Sequence, residues 1–338
     1  MQRWQCQGCG RYGQRRPKGL DCSGLSPKAL ERLLDLCIRL PYREAQAALE
    51  IQGLRLEVSH CERLSQRYGA WCQALAERYF DDLSHEALGR GAGEVKVVQA
   101  DGVYVMEQDK PVKGQCEGRE VKQLLVYPLN EPQHRSSIAM ANPAVHTQDV
   151  ANFSPLAHGL MRHTKLSQND FLIGVADGAP WIDGLFAELD VEVRILDVYH
   201  ATDYLNQIML ALGWDDQTRL AHRYSWQRGD INARIWLKHY LPPPEVWLTW
   251  DEPAQAALRY LETRLDQMDY FDFKNKGYPI GSGQIEGANK SVIGARMKRG
   301  GMRWSKEGIN RMAVMRSNQC SAQPFIDFNA TRLLAFAP

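Results

Sequence analysis

No apolar run in the 338-residue sequence approaches the roughly 18 residues that cross a membrane. The opening residues, MQRWQCQGCG, lack the apolar core of a secretory leader. A membrane partner is therefore not expected, and the chain reads as cytoplasmic. Without a secretory signal, the eight cysteines do not form a disulfide framework. Internal repeats and low-complexity tracts are also missing, which excludes solenoids and compositionally disordered linkers. Net charge is nearly absent, at +1.

The charge that exists is segregated. Arg11, Arg15, Arg16 and Lys18 crowd one end, and Lys290, Arg296, Lys298, Arg299, Arg303, Lys306, Arg311 and Arg316 crowd the other. Residues 177–272 are richer in acids. Such separation is the pattern expected for a polyanionic partner, although a solvated basic face has the same composition. A chain this long suits two or more domains with a sizeable core.

The cysteines divide into two kinds. Cys37, Cys61 and Cys72 fall in helical patterns, where a thiol acts as a small apolar residue. Cys6 and Cys9, in CQGC followed by Gly10, look like one knuckle of a zinc ribbon, and Cys22 is a third candidate ligand. A closed structural zinc site needs four ligands, and no second CxxC follows. The arrangement fits half of a ribbon whose other pair precedes Met1.

Periodicity divides the chain further. SPKALERLLDLCIRL has an N-cap in Ser26 and leucines at helical spacing. PYREAQAALEIQG and EVSHCERLSQRYG then give two helices around Gly53, the outline of a helix-turn-helix or of a plain helical hairpin. From Glu94, EVKVVQAD, VYVMEQ and REVKQLLVYPL read as strands. A helix is expected over 147–162, then strand DFLIGVAD, helix WIDGLFAEL and strand VEVRILD. The chain is then helical and tryptophan-rich to about Tyr270, and the strand-helix series resumes at YPIGSGQIEGANKSVIGARMK. The expected class is α/β, a mixed sheet covered by helices with an all-helical insertion. The segments are 1–25 (basic, ribbon-like), 26–92 (helical, DNA-binding), 93–201 (first part of the core), 202–278 (insertion) and 279–338 (last part of the core with basic helices).

Several acids sit where an acid is costly. In LIGVADGAPW, Asp177 ends an apolar strand, and an unpaired buried charge costs several kcal/mol. No return strand follows, so Asp177 stands at a strand-to-helix junction, where open α/β sheets place active-site groups. The earlier VVQADGVYV reads differently. Asp101-Gly102 suits a two-residue hairpin turn, and the local pattern favours Asp101 as a turn residue. Asp197 ends VEVRILD, with His200 one helical turn later; a helix cap and a core histidine explain both. Glu286, in GSGQIEGANK, misses the capping-box position by one residue. Helical spacing sets Lys290, Ile293 and Met297 on its face. Taken together, two aspartates at strand ends and a glutamate on a later helix form an oxygen set suited to Mg²⁺ or Mn²⁺. Two such ions support in-line phosphoryl transfer.

ADG at Asp101, ADGAPW at Asp177, DVYHA from Asp197 and IGSGQIEGANK at Glu286 occur in that order. With the tail RMKRGGMRWSKEGINRMAVMR, the sequence resembles the DDE transposases of bacterial insertion sequences, in their Mutator-like branch, over about residues 93–316. The resemblance implies a ribonuclease-H-like fold with an all-helical insertion before the last acid. It makes Asp101, Asp177 and Glu286 the catalytic, metal-binding triad, with Asp197 and His200 as further site residues. It implies double-stranded DNA as partner, both the element's terminal repeats and the target, and a homo-oligomer when ends are paired. Lys290, Arg296, Lys298, Arg299 and Arg303 would meet DNA phosphate. Two departures stand out: Ile293 occupies a position that is often basic, and the N-terminal region is short. The second admits another reading, a truncated, non-catalytic DNA-binding regulator. Trp214, Trp226, Trp236, Trp247 and Trp250 in the insertion suit core packing better than base stacking.

Overall fold

The computed structural model describes residues 2–5, 12–15, 25–108, 118–141 and 150–326. Cys6, Cys9 and Cys22 lie outside them. The basic N-terminal stretch contributes a small antiparallel pair, β1 (Gln2–Gln5) and β2 (Tyr12–Arg15).

Three helices follow: α1 (Pro27–Arg39), α2 (Tyr42–Ile51) and α3 (Val58–Ser84). The Ser26 hydroxyl caps α1 by accepting from the Ala29 amide at 3.3 Å, as the sequence suggests. Cys37, Cys61 and Cys72 are buried. Helices α2 and α3 do meet around Gly53, but α3 continues for 27 residues. Its far half joins the main core through Cys72, Ala76 and Phe80.

The main sheet has five strands: β3 (Val95–Met106), β4 (Gly118–Pro128), β5 (Ser136–Ala141), β6 (Phe171–Ala176) and β7 (Val193–Leu196). Their order is β5-β4-β3-β6-β7. The first three run antiparallel; β6 and β7 join parallel to β3. Helices α4 (Ser154–His163) and α5 (Pro180–Glu188) connect the later strands. A mixed five-stranded sheet flanked by helices is consistent with a ribonuclease-H-like fold.

Asp101 is not a turn residue. It lies inside β3, which runs unbroken through the expected hairpin, with Asp101 opposite Gln123 and Gly102 opposite Lys122. Pairing with a distant strand overrides the local Asp-Gly turn preference.

Beyond β7 come α6 (Val198–Ala211), α7 (Asp216–Gln227), α8 (Ala233–Tyr240), α9 (Pro244–Trp247), α10 (Glu252–Glu262) and α11 (Tyr270–Asn275). Trp226 and Trp236 are buried, and Trp214, Trp247 and Trp250 pack partly buried against the core. Trp236 also donates to His222 Nδ1 at 3.1 Å. These tryptophans are structural in their setting.

No strand forms at YPIG. The segment instead crosses as a loop whose Ile280 carbonyl accepts from the Val198 amide at 3.0 Å. It leads into α12 (Gly283–Ala288), a π-helical turn over Asn289–Gly294, α13 (Ala295–Met297) and α14 (Lys306–Cys320). The π-turn shifts the helical register. Glu286 and Lys290 stay exposed while Ile293 and Met297 turn inward, so these four residues do not share one face.

Candidate active site

Strand register brings three aspartates level. Val175 of β6 pairs with Gln99 of β3 and with Ile195 of β7. Two residues further along the three neighbouring chains stand Asp101, Asp177 and Asp197. Strands lie about 4.8 Å apart, and residues two apart point to one face. Gln99 identifies that face, because its Oε1 accepts from the Ile285 amide at 2.8 Å. The sheet surface bearing the aspartates is therefore the one beneath α12, whose next residue is Glu286. The opposite face carries α5, where the Lys122 ammonium lies 5.0 Å from the Trp181 ring centroid.

Each acid is held differently. Asp101 Oδ1 accepts from the Gly102 amide at 2.7 Å, and Oδ2 accepts from the Asn289 side-chain amide at 2.5 Å. Asp177 Oδ1 accepts from the Ala179 amide at 3.0 Å, and α5 begins one residue later. The loop after Asp177 is fastened by the insertion. Tyr260 donates to the Asp177 carbonyl at 2.7 Å, and Arg264 donates to the Gly178 carbonyl at 3.1 Å. Gly178 is obligatory here, since its φ is +76° and a Cβ would collide with the Tyr260 hydroxyl. Glu286 is exposed, with the Ser282 hydroxyl 3.4 Å from its Oε1.

Asp197 is fully buried, at 0% exposure. One oxygen accepts from the Tyr199 and His200 amides at 2.9 Å, capping α6. The other accepts from the Ser282 amide at 2.6 Å and its hydroxyl at 2.8 Å. With four protein donors, Asp197 acts as a clamp that ties β7 and α6 to the residue preceding the Glu286 helix. His200 is exposed.

The electrostatics show the acids sensing one another. Burial first, and then the charge of Asp177, push the Asp101 carboxyl up to about 6; Glu286 adds to this, while the Gly102 amide and His200 oppose it. Among the described residues, no three His, Cys, Asp or Glu side chains form a ready-made metal cage. The donor chemistry nevertheless suits a hard divalent ion, which keeps water and phosphate oxygens and needs few protein carboxylates. Asp101 and Glu286 line a cleft of about 450 Å³ with Val103, Asn289, Lys290, Gly294 and Lys298. That open cleft leaves room for such ligands.

The Asp101 shift has a sign that can be tested. The unfolded chain loses this proton near 3.8 and the folded chain near 6, so stability falls as pH rises across that window. Asp101→Asn is expected to melt higher than the wild type above pH 6 in chelator, and to match it below pH 4. The upper limit of the gain is about 3 kcal/mol. The asparagine is accommodated if Asn289 flips, because Asn289 Oδ1 has no partner among the described residues. Melting curves from pH 4 to 8 check this, and a lower melting point for the variant at pH 8 would refute it.

The basic residues do not behave as one group. Lys290 and Lys298 are exposed at the cleft, and Arg303 is exposed farther along. Arg299 is engaged by both oxygens of Glu44, at 2.7 and 2.9 Å. Arg296 departs from the exposed setting that the sequence suggests. It is 1% exposed, bonded to the Cys37 carbonyl at 2.9 Å and set against the rings of Tyr42 and Trp304. It is buried among these groups and not on a solvated basic face. Arg316 is also turned inward, donating to the Val292 carbonyl at 3.0 Å. Sequence reasoning missed Asn289, Ser282, Tyr260 and Arg264. Only Asn289 had a signal, since it lies one helical turn beyond Glu286.

No family model and no curated protein matches the chain. Among solved structures, the chain is similar to the Drosophila P element transposase strand transfer complex at 12% identity. The match covers 91% of this chain and 80% of that one, with a TM-score of 0.32. It is also similar to a pre-cleavage Mos1 transpososome at 14% identity, covering 77% and 81%, with a TM-score of 0.20. At these values the functional reading rests on the chain's own residues.

Proposed function

We propose that the protein is a metal-dependent DNA transposase that nicks the ends of a mobile element and joins the freed 3′-hydroxyl to target DNA. The observation that carries this reading is the row of carboxylates: Asp101 in β3 and Asp177 just past the end of the adjacent parallel β6, each two residues beyond the Gln99–Val175 pair, with Glu286 following the residue bonded to the same face. A fold gains nothing from placing like charges together, and the Asp177 and Glu286 charges add to the burial that raises the Asp101 carboxyl. A cation shared by Asp101, Asp177 and Glu286 removes that penalty.

When bound, Mg²⁺ or Mn²⁺ supplies polarisation of the attacking and leaving oxygens of an in-line transfer. The chain's own groups do the rest. Asn289 holds the Asp101 carboxylate, and the Tyr260 and Arg264 bonds fix the backbone beside Asp177. Asp197 and Ser282 set the start of the Glu286 helix. Lys290 and Lys298 offer mobile cations at the cleft rim for the DNA backbone. His200 is a hydrogen-bonding group for DNA beside the acids. Pairing two element ends requires more than one copy of the chain.

The test is mobilisation in cells, with the gene and its native flanking DNA beside a marker and a plasmid as target. Insertions with the wild type are expected; their absence, together with no nicking of the flanking DNA by purified protein, contradicts the reading. Replacing Lys290 and Lys298 by alanine is expected to weaken DNA binding equally on unrelated duplexes. The slope of log affinity against log salt should fall by about one for each phosphate no longer neutralised. An unchanged slope would remove these lysines from the DNA path.

A further inference from the structure

The buried guanidinium of Arg296 is left without a counter-charge. Its Nη2 has no hydrogen-bond partner, and no carboxylate pairs with it among the described residues. A buried cation in that state is costly. Burial lowers its pKa, with Arg316 and Arg299 adding to the effect, while Tyr42 and Cys37 oppose it.

Arg296 also lines a pocket of about 250 Å³. Two further arginines, Arg303 and Arg311, stand on its wall, together with Ser305 and Gly308 from the start of α14. Among the described residues, neither Arg303 nor Arg311 has an ion pair, and Glu62 is the one acid on the wall. Helix α14 has 15 residues, enough to present a positive end. Ser305 caps it by accepting from the Gly308 amide at 3.1 Å. Tyr42, Gln66 and Gln108 add polar side chains to the lining, with the Gln66 amide donating to the Tyr42 hydroxyl at 3.1 Å. A buried unpaired arginine, two flanking arginines and a helix N-terminus thus converge on one cavity.

We propose that this pocket is a binding site for a phosphate-type oxyanion. Guanidinium groups pair with tetrahedral oxyanions through two parallel bonds, and a helix N-terminus favours the same ligand. The phosphate has two sources, a DNA backbone phosphate or free inorganic phosphate. The DNA source rests on the transposase reading; the site does not. In either case the anion balances Arg296 and steadies the junction of α2, α3 and α14, which Tyr42, Gln66 and Gly308 mark.

The experiment titrates inorganic phosphate into the full chain at constant ionic strength, read by calorimetry and by melting temperature. Saturable binding below about 1 mM with a raised melting point is expected. The double variant Arg303→Ala/Arg311→Ala should weaken it about tenfold or more. Arg296→Met, which keeps an apolar filling between the rings, should abolish it; if that variant does not fold, the double variant decides. Duplex DNA identifies the source. Competition by free phosphate and a reduced salt slope in the double variant assign the pocket to backbone phosphate. Unchanged DNA affinity with phosphate binding retained in the wild type assigns it to the free anion. Wild-type protein that binds phosphate but not DNA refutes the transposase reading and leaves the site standing. No phosphate binding above a chloride control overturns the site, even if the double variant loses DNA affinity, since surface charge alone explains that loss.

Discussion

Glu286→Gln is expected to reduce DNA strand cleavage by about a thousandfold or more, with the melting temperature little changed. The glutamate is exposed and, among the described residues, its side chain has one hydrogen-bonding neighbour, the Ser282 hydroxyl at 3.4 Å, so the fold does not depend on its charge. Glutamine keeps the shape and removes the anion that a shared cation needs. Gel analysis of an end-labelled duplex in Mg²⁺ measures the effect, with the exposed Glu245→Gln as a control that should cleave normally. Equal cleavage by the wild type and Glu286→Gln would remove the glutamate from the site.

The second large effect concerns stability. Asp197→Ala is expected to cost about 3–5 kcal/mol, the range for breaking a buried charged network. Four donors lose their acceptor: the amides of Tyr199, His200 and Ser282, and the Ser282 hydroxyl. Ser282→Ala keeps the amide bond to Asp197, removes the hydroxyl's bond to it and the long contact to Glu286, and should cost about 1 kcal/mol. Asp197→Asn keeps the volume but turns an amide toward two donors, so it should fall between them. Urea denaturation of the three variants gives the ranking. A near-neutral Asp197→Ala would show that the clamp is not structural and return Asp197 to the reacting group.

These expectations mark how far the sequence could be read. Asp177 was legible because Gly178 and Pro180 leave no return strand, so the local pattern admits only a strand end. Asp101 was not legible from its neighbours. The Asp-Gly step is a sound hairpin signal, and only β4, arriving from residues 118–128, makes it the interior of a long strand. The caps of α1 and α6 follow from Ser26 and Asp197, because a cap is settled within a few residues.

Charge was the least legible property. In sequence, Arg296 is one of a crowd between Lys290 and Arg303. Its burial is decided by Cys37, Tyr42 and Trp304, which come from distant helices and from the segment before α14. The face carrying Glu286 was misjudged at Ile293 and Met297 because a π-turn has no compositional mark. Tyr260 and Arg264 were invisible for the same non-local reason: their partners are carbonyls more than eighty residues earlier.

The central claim is that Asp101, Asp177 and Glu286 share divalent ions. Crystals soaked in Mn²⁺, with anomalous diffraction recorded near the manganese edge, test it most directly. The account predicts anomalous peaks held by these three carboxylates beside the cleft that Asp101 and Glu286 line, with oxygen ligands at about 2.0–2.3 Å. They should be absent from crystals of Asp101→Asn. A cleft without manganese, or peaks held by other residues while these carboxylates stay uncoordinated, would contradict it.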